Sequence, residues 1–311
     1  AVKALSERWI EARHSGRSRD RYIGEIQRTL KNHVIPHIGS RDAASIERSD
    51  ILDLLDKAAK HGRLVPNHVL SVVRPLFAWA VERGAIDVSP AAGIRTPANA
   101  KPRNRVLNDA ELAAFVIAVG QVGEPWSDYL EILALTGQRR NEVAGMTWDE
   151  VDLTACTWTI AADRTKNNSA HVIPLAPRAV SILKARLSSS EGKGFLFPAE
   201  RQGTGHISGF GHMKPGLDAK MLTALRDAEA KRGGDPDKVG LPNWTLHDLR
   251  RTAATNMAAL GHPIHVVERV LNHLSGATTG GIIAVYQRHD YLAERRAALE
   301  AWAKHLKAMK I

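Results

Sequence analysis

One cysteine, Cys156, stands among 311 residues. That excludes an internal disulfide and any metal site built from several thiolates, and it fits a reducing compartment. No apolar run approaches the ~20 residues that a bilayer-spanning helix needs, and no secretory hydrophobic segment opens the chain. Internal repeats and low-complexity stretches are absent. The chain begins at Ala1 inside AVKALSERWI, which already reads as amphipathic helix, so a further segment is expected upstream.

What is present is a basic, ordinary globular composition: 44% hydrophobic, 24% charged, with a net charge of +10 and a pI near 9.9. The length suits two domains, each large enough to bury a core. Residues 1–100 hold 16 Lys/Arg against 11 Asp/Glu, and the other 211 hold 27 against 22. Positive charge is thus about twice as dense in the first third, which points to an anionic partner.

Apolar residues recur at helical spacing through residues 1–88, as in Leu5, Trp9, Ile10 and Ile51, Leu54, Leu55. Ser49 is the expected N-cap of the latter helix, and Gly84 the stop of the next. Arg13, Arg17, Arg19 and Arg21 straddle a Ser-Gly-Arg-Ser turn, where they could equally be a solvated surface or phosphate contacts. Prolines 90, 97 and 102, spaced among Arg95, Lys101, Arg103 and Arg105, break helix and remove donors. The reading is a helical domain over 1–90, a basic linker over 91–106 and a second domain over 107–311. In the second domain, Asn108 or Asp109 caps a helix, and runs 157–160 and 171–175 form a hairpin. Stretches 188–194, 201–216 and 231–243 are expected loops. A final helix carries Leu292, Leu299, Trp302, Leu306 and Met309 on one face. The fold class is mainly α with a small β-sheet, an α+β chain.

Four local patterns carry chemistry. In TGQRRNE (136–142), Gly137 ends a helix and Arg139 starts the next, with Glu142 one turn on and able to hold the guanidinium for a phosphate. Alone, the pair is as well explained as a surface ion pair. Lys166, near the hairpin tip, offers a cation and a proton, though most loop lysines are only solvated. In HDLR (247–250), capped by Thr245, His247 and Arg250 share a helix face while Leu246 and Leu249 turn inward. LNH (271–273) closes a helix, and Tyr286 follows a Gly/Thr-rich stretch.

Taken in order, Arg139, Lys166, His247, Arg250, His273 and Tyr286 resemble the catalytic set of the tyrosine recombinase, or phage integrase, family. The ending YQRHDYLAERRAALEAW is similar to integrases of genomic islands and satellite phages. The resemblance covers nearly the whole chain, since residues 1–88 also look like the family's helical core-DNA-binding domain. Two departures stand out. The gap from His273 to Tyr286 is long, which makes Tyr291 a rival nucleophile, and nothing in these 311 residues corresponds to the arm-site-binding domain such integrases usually carry.

The resemblance implies a site-specific recombinase that breaks and rejoins DNA through a 3′-phosphotyrosine. Tyr286 would attack, Arg139 and Arg250 would clamp the nonbridging oxygens, and Lys166 would protonate the leaving 5′-oxygen. His247 would take the tyrosine proton and His273 would hydrogen-bond the phosphate. No metal or other cofactor is implied, because arginine supplies the charge that metal ions supply in two-metal nucleases, and no clustered carboxylates accompany the motifs. The partner implied is double-stranded DNA at core-type attachment sites, contacted also by Arg13, Arg17, Arg19, Arg21, Arg103 and Arg105. The two domains are expected to close around the duplex. A homotetramer on DNA is implied, a monomer or weak oligomer without it, with an accessory DNA-bending protein a further candidate. The setting implied is a bacterial cytoplasm, with no membrane. The rivals are a type IB topoisomerase and a catalytically silent DNA-binding protein. Neighbours in such a tetramer exchange C-terminal elements, so part of the last helix is expected to dock on an adjacent protomer.

Overall fold

The computed structural model describes residues 1–14, 20–99, 104–165, 167–199, 205–273 and 289–309. Two compact units make up the chain, Ala1–Arg103 and Asn104–Ile311.

The first unit is helical: α1 (Val2–His14), α2 (Asp20–Thr29), a π-helical turn at Leu30–Val34 leading into α3 (Ile35–Ile38), α4 (Arg48–Ala59) and α5 (Val65–Glu82). Val2, Leu5, Trp9, Ile26, Leu30, Ile51, Leu54, Val73, Leu76 and Phe77 form its core. Turns at 39–42, a 3-10 turn at Ala43–Ser45 and turns at 60–64 separate these helices. The cap of α4 is Glu47 rather than Ser49. Asp50, three residues on, accepts the Glu47 N–H at 2.8 Å, and that bond fixes the start two positions earlier. Residues 91–99 are docked on this unit. Arg48 donates to the Ala92 carbonyl, Arg63 to that of Asn99 and Arg74 to that of Ile94, while the Asn67 amide pairs with both backbone groups of Ala98. Ala91 and Ile94 are buried.

The second unit contains α6 (Asp109–Val119), α7 (Trp126–Thr136), α8 (Arg140–Ala144), a three-stranded antiparallel sheet, and α9 (Pro177–Ser188). It continues through α10 (Phe210–Lys231), α11 (Leu246–Ala259), α12 (Ile264–Val270) and α13 (Leu292–Ala308). The sheet comprises β1 (Val151–Asp152), β2 (Thr157–Ile160) and β3 (His171–Pro174), with Thr157 opposite Pro174 and Ile160 opposite His171. Strand alternation turns Trp158, Ile160 and Ile173 into the core. Asn108 caps α6, accepting the Glu111 N–H at 2.9 Å while Glu111 accepts the Asn108 N–H at 2.9 Å. The expected loop at 201–216 is corrected from Phe210 onward. Gly211, Pro215 and Gly216 disguise the first turns of α10, a helix that packs on α6 and buries Leu217 and Met221 in the unit's core.

Helix α13 is part of this unit's own core. Leu299 and Trp302 are 1% exposed, Leu306 is buried, and the Trp302 indole donates to the Ala134 carbonyl at 2.8 Å. Arg295 donates to Val172 O at 2.8 Å, and Arg296 to Ala155 O at 3.0 Å. Without DNA, then, the apolar stripe is filled from within the same unit, the other of the two placements open to this helix. Trp302→Ala should cost about 3–5 kcal/mol, the scale for emptying a large aromatic site. Deleting 292–311 should abolish cooperative unfolding of the second unit, as followed by calorimetry. A truncated protein that retains a sharp transition near the parent's would contradict this packing.

Candidate active site

Helix α7 ends because Gly137 takes the left-handed conformation, φ +62°, which a β-carbon would strain. The chain then turns so that Arg139 becomes the N-cap residue of α8. Glu142 is bonded to Arg139 twice: Oε2 accepts the backbone N–H at 2.9 Å, and Oε1 accepts Nη1 at 2.7 Å. The Glu142 side chain is 8% exposed and that of Arg139 28%, so a shielded carboxylate holds a cation that still reaches solvent.

At the start of α11, the Asp248 carboxylate accepts the Thr245 N–H at 2.8 Å and its hydroxyl at 3.0 Å, and also pairs with Arg251. This anchored first turn sends Leu246 and Leu249 into the core and leaves His247 exposed. Partial desolvation holds the His247 pKa below the usual histidine value, helped by the charges of Arg251 and Arg250. Arg250 is only 3% exposed. Its Nη1 donates to the Gly137 carbonyl at 2.9 Å, its Nη2 donates to the Leu271 carbonyl, and the same Nη2 lies 3.2 Å from His273 Nε2. Burial lowers its pKa to about 10, with Arg139's charge adding and Glu142's opposing, so it stays a cation at neutral pH. Three segments distant in sequence meet at this one guanidinium.

The hairpin is bound to the same cluster. Lys166 lies outside the described residues, but both its neighbours are anchored. The Thr165 hydroxyl sits 2.8 Å from the Ser169 carbonyl, and Asn167 Nδ2 donates to Asn272 Oδ1 at 2.8 Å. Tyr286 also lies outside the described residues. Tyr291 caps α13 with φ +54°, its ring 5.0 Å from that of His265 and 4.7 Å from that of His289. Among the residues expected at DNA, Arg13 pairs with Glu82, and Arg105 pairs with Glu111 and donates to the Val106 carbonyl at 2.7 Å. Arg17, Arg19 and Arg103 are outside the described residues, as is the side chain of Arg21.

Two residues of this cluster escaped the sequence reading, Gln138 and His171. Gln138 sits beside the noticed Arg139, and His171 was visible only as the polar first residue of an otherwise apolar run. His171 is 5% exposed. Burial, ahead of the charges of Arg295, Arg250 and Arg139, drives its pKa to about 4, partly offset by its bond to the Val270 carbonyl. Its folded pKa lies below the unfolded value near 6.5, so the folded protein binds fewer protons here. The associated stability is complete above about pH 6.5 and drains as pH falls toward 4, by up to about 3 kcal/mol. Denaturant melts at pH 7.5 and 4.5 should show that loss, and His171→Gln should reduce it. An undiminished acid loss in the variant would mean that other groups cause it.

Comparison with known proteins adds two family matches. Residues 112–290 match the phage integrase family, and residues 2–97 match the phage integrase central domain. The prophage integrase IntA of Escherichia coli (strain K12) is 26% identical over 310 residues, covering 98% of this chain and 69% of IntA. The tyrosine recombinase XerC of Xylella fastidiosa (strain M23) is 33% identical over 214 residues, 68% of this chain and 66% of XerC. Lambda integrase has the same fold. Its dimer bound to a COC′ core site superposes with TM-score 0.64 at 15% identity, covering 89% of this chain and 97% of that one. Its tetramer bound to a Holliday junction gives 0.64 at 16%, covering 90% and 79%.

Proposed function

Because the chain belongs to the phage integrase family of tyrosine recombinases, and is a site-specific DNA recombinase, we propose that Tyr286 is its nucleophile and that Arg139, Lys166, His247, Arg250 and His273 assist it. The observation that carries this reading is Arg250, a buried cation bonded to Gly137 and Leu271 and 3.2 Å from His273. A buried charge is expensive unless its partners and purpose are fixed. Here two carbonyls hold the guanidinium in place beside Arg139, leaving further N–H groups for a phosphate.

In the proposed reaction the Tyr286 phenol oxygen attacks a DNA phosphorus, and the bond to the 5′-oxygen breaks. His247, kept neutral by its lowered pKa, accepts the phenol proton. Lys166 gives a proton to the departing 5′-oxygen. The charge that grows on the nonbridging oxygens is met by Arg139, Arg250 and His273. The ester formed conserves the energy of the broken bond, so reclosure needs no ATP. The partner is duplex DNA at core-type sites, and the working assembly is a homotetramer, on the analogy of lambda integrase on its junction. Arg13, Arg17, Arg19, Arg21, Arg103 and Arg105 contribute backbone contacts, a DNA-bending protein assists, and the setting is a bacterial cytoplasm. Family membership favours exchange between two sites over supercoil relaxation. The test is covalent capture on a nicked duplex carrying the core site, taken from DNA flanking the encoding gene. Relaxation of supercoils without two-site exchange would contradict the reading.

A further inference from the structure

Helix α12 stops at Val270, and its last carbonyls have no partner within the helix. Two side chains from elsewhere meet one of them. Gln138 Nε2 donates to Val270 O at 2.9 Å, and His171 Nε2 lies 3.0 Å from the same oxygen. The chemistry of the acceptors settles the hydrogens. Gln138 Nε2 also donates to Thr136 O at 2.9 Å, so its amino group must face two carbonyls, and His171 must carry its proton on Nε2. Both side chains are buried, at 1% and 5% exposure. The next carbonyl, Leu271 O, takes Arg250. Asn272 then adopts φ +51° with its amide against Asn167, and His273 follows, its N–H bonded to Glu268 O at 2.9 Å.

We infer that Gln138 and His171 form a positioning pair for His273: by clamping the Val270 carbonyl from two sides, they set where His273 stands against Arg250. The pair joins three pieces of chain. Gln138 belongs to the turn that delivers Arg139, His171 to the strand that follows the Lys166 hairpin, and Val270 to the helix that leads to His273. Neither residue need touch DNA. A carbonyl with two buried donors has little freedom, and three residues later the His273 ring inherits that order. A neutral His171 suits the task, since a second buried cation beside Arg139 and Arg250 would push the cluster apart.

The inference rests on the reading of His273 as a phosphate ligand, and the test separates the two. Gln138→Met and His171→Leu remove the donors at similar volume, and His171→Gln keeps an N–H near the Nε2 position. Single-turnover cleavage of the nicked core-site duplex is measured for each, alone and combined with His273→Ala, beside gel-shift affinity. Gln138→Met and His171→Leu are each expected to slow cleavage about tenfold with affinity unchanged, and His171→Gln to recover most of the rate. Combined with His273→Ala, either donor loss is expected to cost less than about twofold more, because its effect passes through the missing ring. If His171→Leu does not fold, Gln138→Met carries the same cycle. Equal losses with and without His273, while His273→Ala itself is slow, overturn the positioning role alone. A His273→Ala protein that cleaves like the parent overturns the reading of His273 as well.

Discussion

Tyr286→Phe is expected to abolish the covalent protein–DNA adduct on nicked substrates while leaving DNA affinity nearly unchanged. The substitution removes one oxygen, the atom proposed to form the ester, and leaves a ring with no nucleophile. Gel-shift titration and denaturing gels of trapped complexes measure the two quantities in one experiment. The rival is Tyr291. It is half-buried against the second unit's core, it caps α13, and its carbonyl accepts the Arg295 N–H at 2.8 Å. Those are structural duties, so Tyr291→Phe should reduce adduct formation little. An adduct that persists in Tyr286→Phe and vanishes in Tyr291→Phe would reverse the assignment.

The second large effect is expected at the arginines. Arg139→Ala should lower the single-turnover cleavage rate on the order of 10²–10³-fold, the scale for losing one donor to a developing oxyanion. It also leaves the shielded Glu142 carboxylate without its cation, near the place proposed for a phosphate, so the loss should lie at the upper end of that range. Combining Arg139→Ala with Glu142→Gln should recover part of it, because the uncompensated negative charge is then gone. Arg250→Ala should be at least as damaging and should also destabilise the fold, since the carbonyls of Gly137 and Leu271 both lose a buried donor. Cleavage by the parent should survive excess EDTA, the arginine pair being the proposed source of charge stabilisation. An Arg139→Ala protein that cleaves at the parental rate, or a parent silenced by EDTA and revived by Mg²⁺, would defeat the arginine mechanism.

Several features were legible before any coordinates because they are local. Gly137 marks the end of α7 since the left-handed turn favours glycine, and Asn108 and Thr245 mark helix starts through polar atoms three residues from their partners. The β2–β3 hairpin follows from two β-rich runs around a polar loop. Other features were misread because competing local signals were close in strength. Ser49 is a good cap, but the bond from the Glu47 N–H to Asp50 wins. Gly211 and Pro215 spoke for a loop, but tertiary contacts, among them the Phe210 ring on Trp126 and Tyr129 and the packing of the helix on α6, go with a helix there.

What the sequence alone determined is the order of the chemical groups, the division into two units and the family, because motifs within a turn or two of one another are written in consecutive residues. What tertiary structure decided is how those groups meet. Arg250 was expected to project toward a ligand, yet it is buried with two N–H groups already spent on Gly137 and Leu271, residues 113 and 21 positions away. Gln138 and His171 converge on Val270 from 132 and 99 positions away, and α13 packs Leu299, Trp302 and Leu306 into its own unit. Contacts of that separation depend on how whole helices pack, and packing reads shape and volume summed over many residues. No local spacing records it.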